Sequence, residues 1–136
     1  MSLNHFTSLD HLTVQEFHDL LAVAVYLKRR RAAGIAEHAL AGKTLVMIFE
    51  KPSLRTRLSF EVGMTELGGV ATYVRGEEVG LNVREPVQDV ARVLSRYAQG
   101  IMIRTFAHSN VSELAKHATV PVINGLSDVC HPCPAL

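Results

Sequence analysis

The sequence predicts an α/β domain, three-layer α/β/α, built on a parallel, Rossmann-like sheet of about four strands. Short β-prone apolar runs alternate with longer segments whose apolar residues recur at helical spacing. The strongest of these runs has no polar residue at alternate positions, the mark of a strand covered on both faces. Glycine or proline stands at most of the boundaries. At 136 residues, 48% of them hydrophobic, the chain has the material for one core and the length of one domain.

Each element follows from its residues. Met1-Ser2-Leu3 is set aside as a leader. Thr13-Val-Gln-Glu16 has the form of a capping box, after which Val14, Phe17, Leu20, Leu21, Ala24, Val25 and Leu27 give a first helix running to about Arg31. Its basic end, Lys28 to Arg31, reads as a solvated last turn complementing the helix dipole, with a nuclear-localisation or phosphate patch as the rival reading. Thr44–Phe49 follows Gly42-Lys43 as the first strand. After Pro52 and Ser53, a helix carrying Leu58, Phe60, Val62, Met64 and Leu67 stops at Gly68-Gly69, and 70–74 form the second strand. Residues 75–84, charged and containing Gly76 and Gly80, read as a surface loop. Pro86 takes the first position of a helix with Val87, Val90, Val93, Leu94 and Tyr97 as its stripe. Gly100 ends that helix, 101–103 make the third strand, and Asn110-Val-Ser-Glu113 has the form of a capping box for the next helix. The fourth strand is 120–123, and 124–136 are turn-rich, with a further helix starting near Leu136.

Composition excludes several function classes. Fourteen Lys and Arg against thirteen Asp and Glu leave a charge of +1, so no global field draws nucleic acid or an anionic membrane. The longest apolar stretch, 20–27, is far shorter than the roughly 18 residues of a membrane span. Two cysteines only three positions apart make no secreted-type disulfide framework, which favours a cytoplasmic setting. Any anion site must be local.

In sheets of this kind ligands gather outside the carboxyl ends of the strands. After the first strand come Ser53, Leu54, Arg55, Thr56 and Arg57, crowding hydroxyl and guanidinium groups onto a helix start whose N–H groups are unpaired, which suits a phosphate. Arg104 follows the third strand and His131 lies beyond the fourth. Each alone has a structural reading: Ser53 as an N-cap, Arg57 as an ion-pair residue, His131 as a loop stabiliser. Their coincidence at three strand ends favours one anion site. Gly68-Gly69 follow a helix and precede a strand, the reverse of a dinucleotide-binding turn, and there is no Walker lysine motif.

The run Phe49-Glu-Lys-Pro-Ser-Leu-Arg-Thr-Arg-Leu-Ser-Phe-Glu61, with Asp89-Val-Ala-Arg-Val-Leu-Ser-Arg-Tyr97, Val120-Pro-Val-Ile-Asn-Gly-Leu126 and His131-Pro-Cys133, resembles the ornithine carbamoyltransferases of the aspartate/ornithine carbamoyltransferase family. The resemblance covers essentially everything after the leader. It implies that 1–136 are the carbamoyl-phosphate-binding domain of a trimeric, cytoplasmic transferase of arginine metabolism, with the acceptor (ornithine) domain absent from this chain. By position, Ser53, Arg55 and Thr56 would hold the phosphate with the Leu54 N–H, while Arg104 and His131 contact the carbamoyl oxygen. No cofactor is implied. The isolated chain is expected to bind carbamoyl phosphate or phosphate weakly and to be catalytically silent, because a second domain supplies closure.

The sequence departs from the family pattern at several positions. Leu54 stands where Thr is usual, and Pro134 stands where the family places the Gln of His-Pro-x-Gln. Gly80 replaces a Gln that many members reach into the neighbouring subunit, a role open to Asn82 or Arg84. Rival readings start from Cys130-His-Pro-Cys133: a redox dithiol, or a zinc site that lacks a second ligand pair. A third makes the domain a non-catalytic assembly unit. His108 and His117 read as exposed helix or loop residues.

Overall fold

In the computed structural model, residues 5–133 are described. Met1-Ser2-Leu3, Pro134 and Leu136 lie outside the described residues. The elements are α1 (Val14–Ala32), β1 (Thr44–Phe49), α2 (Leu54–Glu66), β2 (Val70–Arg75), α3 (Gly76–Val79), α4 (Val87–Tyr97), β3 (Gly100–Arg104), α5 (His108–His117) and β4 (Val122–Leu126), with a short 3-10 turn at Leu9–His11. The four strands are all parallel and lie in the order β2-β1-β3-β4.

Alternation along β1 splits the core. Leu45, Met47 and Phe49 face α2, packing with Met64 and Phe60, whereas Ile48 joins Val87, Val90, Ala91, Val111 and Leu114 of α4 and α5 on the opposite face. Helices therefore cover both faces, and the expected three layers are present. The strand order turns about β1 and β3: from β1 the chain passes through α2 to β2 on one side, then returns through α4 to β3 on the other. The carboxyl ends of β1 and β3, paired at Phe49 and Arg104, are thus brought side by side.

Several boundaries differ from the sequence reading. The expected loop at 75–84 instead continues β2 to Arg75 and then forms α3, which ends on Gly80 at φ 61°, a left-handed conformation that glycine adopts without strain. The fourth strand is β4 (Val122–Leu126), displaced toward the site from 120–123. Pro121 offers only its carbonyl, to Ile101 N, and an irregularity in the β3–β4 register lets Leu126 O accept from Thr105 N. Asn110 is not a cap: α5 begins at His108 after Ala107, and the Asn110 amide donates to Glu50 and Thr105 instead. Pro86 is the N-cap of α4 and Val87 its first residue. The N-terminal segment adds an unforeseen fifth line to the sheet, where Phe6 N donates to Val122 O and Asn124 N to Phe6 O.

Within α1 the Thr13–Glu16 capping box forms as expected, but no residue of the helix is buried. Its apolar stripe does not enter the core; Val14, Val23, Val25 and Tyr26 are exposed. Among the described residues no helix is long and apolar enough to cross a membrane.

Candidate functional site

The site begins where β1 hands over to α2. Ser53 has extended backbone and caps α2, its Oγ accepting from Thr56 N at 3.3 Å and donating to Thr56 Oγ1 at 3.0 Å. This capping fixes the first turn, and the leading N–H groups of Leu54 and Arg55 are left at the positive end of a 13-residue helix. The Leu54 side chain is 72% exposed, so what it can offer a ligand at the helix start is its N–H. Arg55 is exposed beside it.

Arg104 closes β3 between β1 and β4. Its backbone is pinned by Glu50 N, which donates to Arg104 O at 2.8 Å. Its guanidinium then spans the three strand ends: Nη1 lies 3.4 Å from Thr56 Oγ1, 3.4 Å from Gly125 O and 3.4 Å from His131 Nε2. An arginine only donates, so the neutral imidazole with its hydrogen on Nδ1 is the tautomer that fits this contact. Arg104 Nε and His131 Nδ1 are both buried without a hydrogen-bond partner among the described residues. Burial, and secondarily the Arg104 charge, hold His131 below its ordinary value of 6.5. Ser53, Thr56, Arg104 and His131, singled out from separate segments of sequence, thus form one continuous polar cluster. Buried donors with unused capacity in such a cluster suit an anionic or carbonyl ligand.

Other candidates are placed elsewhere. Arg57 lies 3.8 Å from the centre of the Tyr73 ring and pairs with Glu61 at 2.9 Å, which gives it a structural role on α2. At Gly80 an added Cβ would run into the Arg84 side chain, and Arg84 Nη1 donates to Glu78 O at 3.3 Å. Asn82 donates to Asn110 Oδ1 at 3.3 Å, and among the described residues none of these three hydrogen-bonds to the cluster. Cys133 Sγ donates to Asn124 O at 3.6 Å, and burial pushes its thiol up to about 11, the opposite of a reactive dithiol's first thiol. Cys130 and Cys133 are free thiols. His108 and His117, expected to be exposed, are half-buried: His108 Nδ1 lies 2.7 Å from Ser127 Oγ, and His117 Nε2 lies 3.3 Å from Glu113. Among the described residues no three His, Cys, Asp or Glu gather as metal ligands.

The sequence reading missed the supports. Glu50 accepts from Thr105 Oγ1 and from Asn110 Nδ2, tying the ends of β1 and β3 to α5. Asn124 is wholly buried in β4, and Gly125 lies so close to Met102 Sδ that no Cβ fits there. A glycine inside an apolar strand was a readable signal for close backbone approach; Glu50 and Asn124 gave none, since their partners are distant in sequence.

Residues 4–136 match the family described as aspartate/ornithine carbamoyltransferase, carbamoyl-P binding domain. The chain belongs to this family. It is 52% identical over 128 residues to an ornithine carbamoyltransferase of Methanocorpusculum labreanum, covering 94% of this chain and 42% of that protein. Against an ornithine carbamoyltransferase of Pelobacter propionicus the identity is 54% over 129 residues, covering 95% of this chain and 42% of the relative. The solved ornithine carbamoyltransferase from Pyrococcus furiosus superposes with a TM-score of 0.95 at 48% identity, over 98% of this chain and 42% of that one. The chain therefore spans less than half the length of the carbamoyltransferases it matches, and the shared part includes the three strand ends that shape the cluster.

Proposed function

We propose that this chain is the carbamoyl-phosphate-binding half of an ornithine carbamoyltransferase, with Ser53, Thr56, Arg55 and the Leu54 N–H holding the phosphate and Arg104 with His131 holding the carbamoyl oxygen. The observation that carries the reading is the 3.4 Å reach of one Arg104 nitrogen to both Thr56 and His131, which joins the helix start to the carbonyl-binding pair. The phosphate sits against unpaired N–H groups and the helix dipole, so departure of phosphate is assisted at low cost. When the neutral δ-amine of ornithine attacks the carbonyl carbon, the C–N bond forms, negative charge grows on the carbamoyl oxygen, and the Arg104 guanidinium stabilises it in place. The C–O bond to phosphate then breaks, the amine loses its proton, and citrulline and phosphate result. Ser53 acts as a ligand, its hydroxyl being committed to Thr56.

The chain spans 42% of a matched relative's length, and residues 1–136 by themselves are expected to bind carbamoyl phosphate without turnover. The homotrimer and the cytoplasmic setting are proposed on the same family grounds. A homotrimer gains support from Leu54, Leu58 and Val62, which recur one turn apart along α2 and are all more than 40% exposed, a strip of the kind that subunit contacts cover. Carbamoyl phosphate titrated calorimetrically into the chain should bind measurably, and Arg104→Ala should weaken that binding about thirtyfold, the loss of charge-assisted hydrogen bonds worth about 2 kcal/mol. Equal affinity in the variant refutes the assignment of Arg104. Robust citrulline formation by the chain with ornithine refutes the division of labour.

A further inference from the structure

The loop that delivers His131 to the cluster is organised by a residue with no contact to the proposed ligand. Asn124 is 0% exposed. Its Nδ2 lies 3.1 Å from Thr7 O, 3.3 Å from Cys130 O, 3.3 Å from Cys130 Sγ and 3.4 Å from Ser127 Oγ, and its Oδ1 accepts from Leu126 N at 3.0 Å. Its backbone oxygen accepts from Cys133 Sγ at 3.6 Å. Residues on both sides of His131 are therefore fastened to Asn124, one through the side chain and one through the backbone. The turn is closed further by Ser127 N, which donates to Cys130 O at 2.9 Å.

We propose that Asn124 is the positioning residue for His131: by gathering Cys130, Ser127 and Leu126 around one amide it sets the loop so that the imidazole stands against Arg104. The chemistry of the partners explains why an amide is needed. Nδ2 faces two carbonyl oxygens, and Oδ1 faces an N–H. A carboxylate would set oxygen against those carbonyls, and an apolar side chain would leave buried donors and acceptors unpaired. Because Thr7 O is one of the partners, the N-terminal segment that extends the sheet is anchored to the same amide.

This inference rests on the carbamoyl-phosphate reading only in giving His131 a ligand. The test is therefore read first without one, by following the His131 imidazole by NMR in the 136-residue chain, assigned through its loss in His131→Gln. In Asn124→Asp the imidazole signals should shift and the titration should move upward, through loss of burial, loss of the neighbouring Arg104 charge and the new carboxylate, and the uncharged Cys130→Ala separates the first two causes from the third. The α4 amide signals should stay in place, and carbamoyl phosphate should bind about tenfold more weakly. Cys130→Ala removes a thiol that contacts both the Asn124 amide and Thr7 O, and should move the titration in the same direction by less. It decides the matter if Asn124→Asp does not fold. An unmoved His131 titration in the folded variants overturns the proposal. A titration that moves while the parent chain fails to bind carbamoyl phosphate supports the positioning role and removes the carbamoyl-phosphate reading.

Discussion

Charge at this site is used in two ways that the local surroundings of each side chain separate. Arg104 is a donor-rich group whose Nη1 makes, among the described residues, only long contacts of 3.4 Å, and whose Nε is buried without a partner among them, so it is placed but unspent. Arg57, four residues from the capping Ser53, is spent on Tyr73 and Glu61. Arg57→Ala should accordingly lower stability by about 0.5–1 kcal/mol, read from the urea midpoint, and leave carbamoyl phosphate affinity within about twofold. The cysteines separate in the same manner. With the Cys133 thiol pushed up to about 11, little thiolate exists at pH 8, and its alkylation by iodoacetamide should be much slower than that of free cysteine. Rapid modification of Cys133 in the folded chain would revive the redox reading.

Among the elements, α2 and β4 do most to shape the rim. Ser53→Ala removes the cap of α2 and should cost about 1 kcal/mol of stability while also weakening phosphate binding, because the first turn then frays around the ligand. Gly125→Ala should lower stability by about 1–3 kcal/mol, since its Cβ would press into the Met102 side chain, which is itself fully buried and has nowhere to move. How much of this was legible differs by element. The strand β1, the capped start of α2 and its glycine stop are dictated by residues adjacent in sequence, and they fall where the patterns put them. Asn110 has the form of a cap yet lies inside α5, because Glu50, sixty residues away, takes its amide. The register of β4 depends on Thr105 and on the irregularity against β3, and the bridge at Phe6 depends on Val122 and Asn124, so neither could be read from a local window.

Across the whole molecule, two histidines couple stability to pH. His5, whose Nδ1 accepts from Val122 N at 3.1 Å, and His131 are both held by burial below the ordinary value of 6.5. The unfolded chain then binds these protons more readily, so their contribution is fully present above about pH 6.5 and is lost as pH falls through the folded values. The urea midpoint should fall between pH 7.5 and pH 5, and His5→Asn should flatten part of that slope. A midpoint independent of pH over this interval would contradict the burial of both rings. At this scale too, a nearly neutral chain concentrates its anion affinity at one rim where three strands end. The most direct measurement is backbone and side-chain chemical-shift mapping of the 136-residue chain titrated with carbamoyl phosphate. Saturable shifts should be confined to Ser53, Leu54, Arg55, Thr56, Arg104 and His131; shifts centred on the basic end of α1 at Arg29 to Arg31, or none at all, would overturn the assignment.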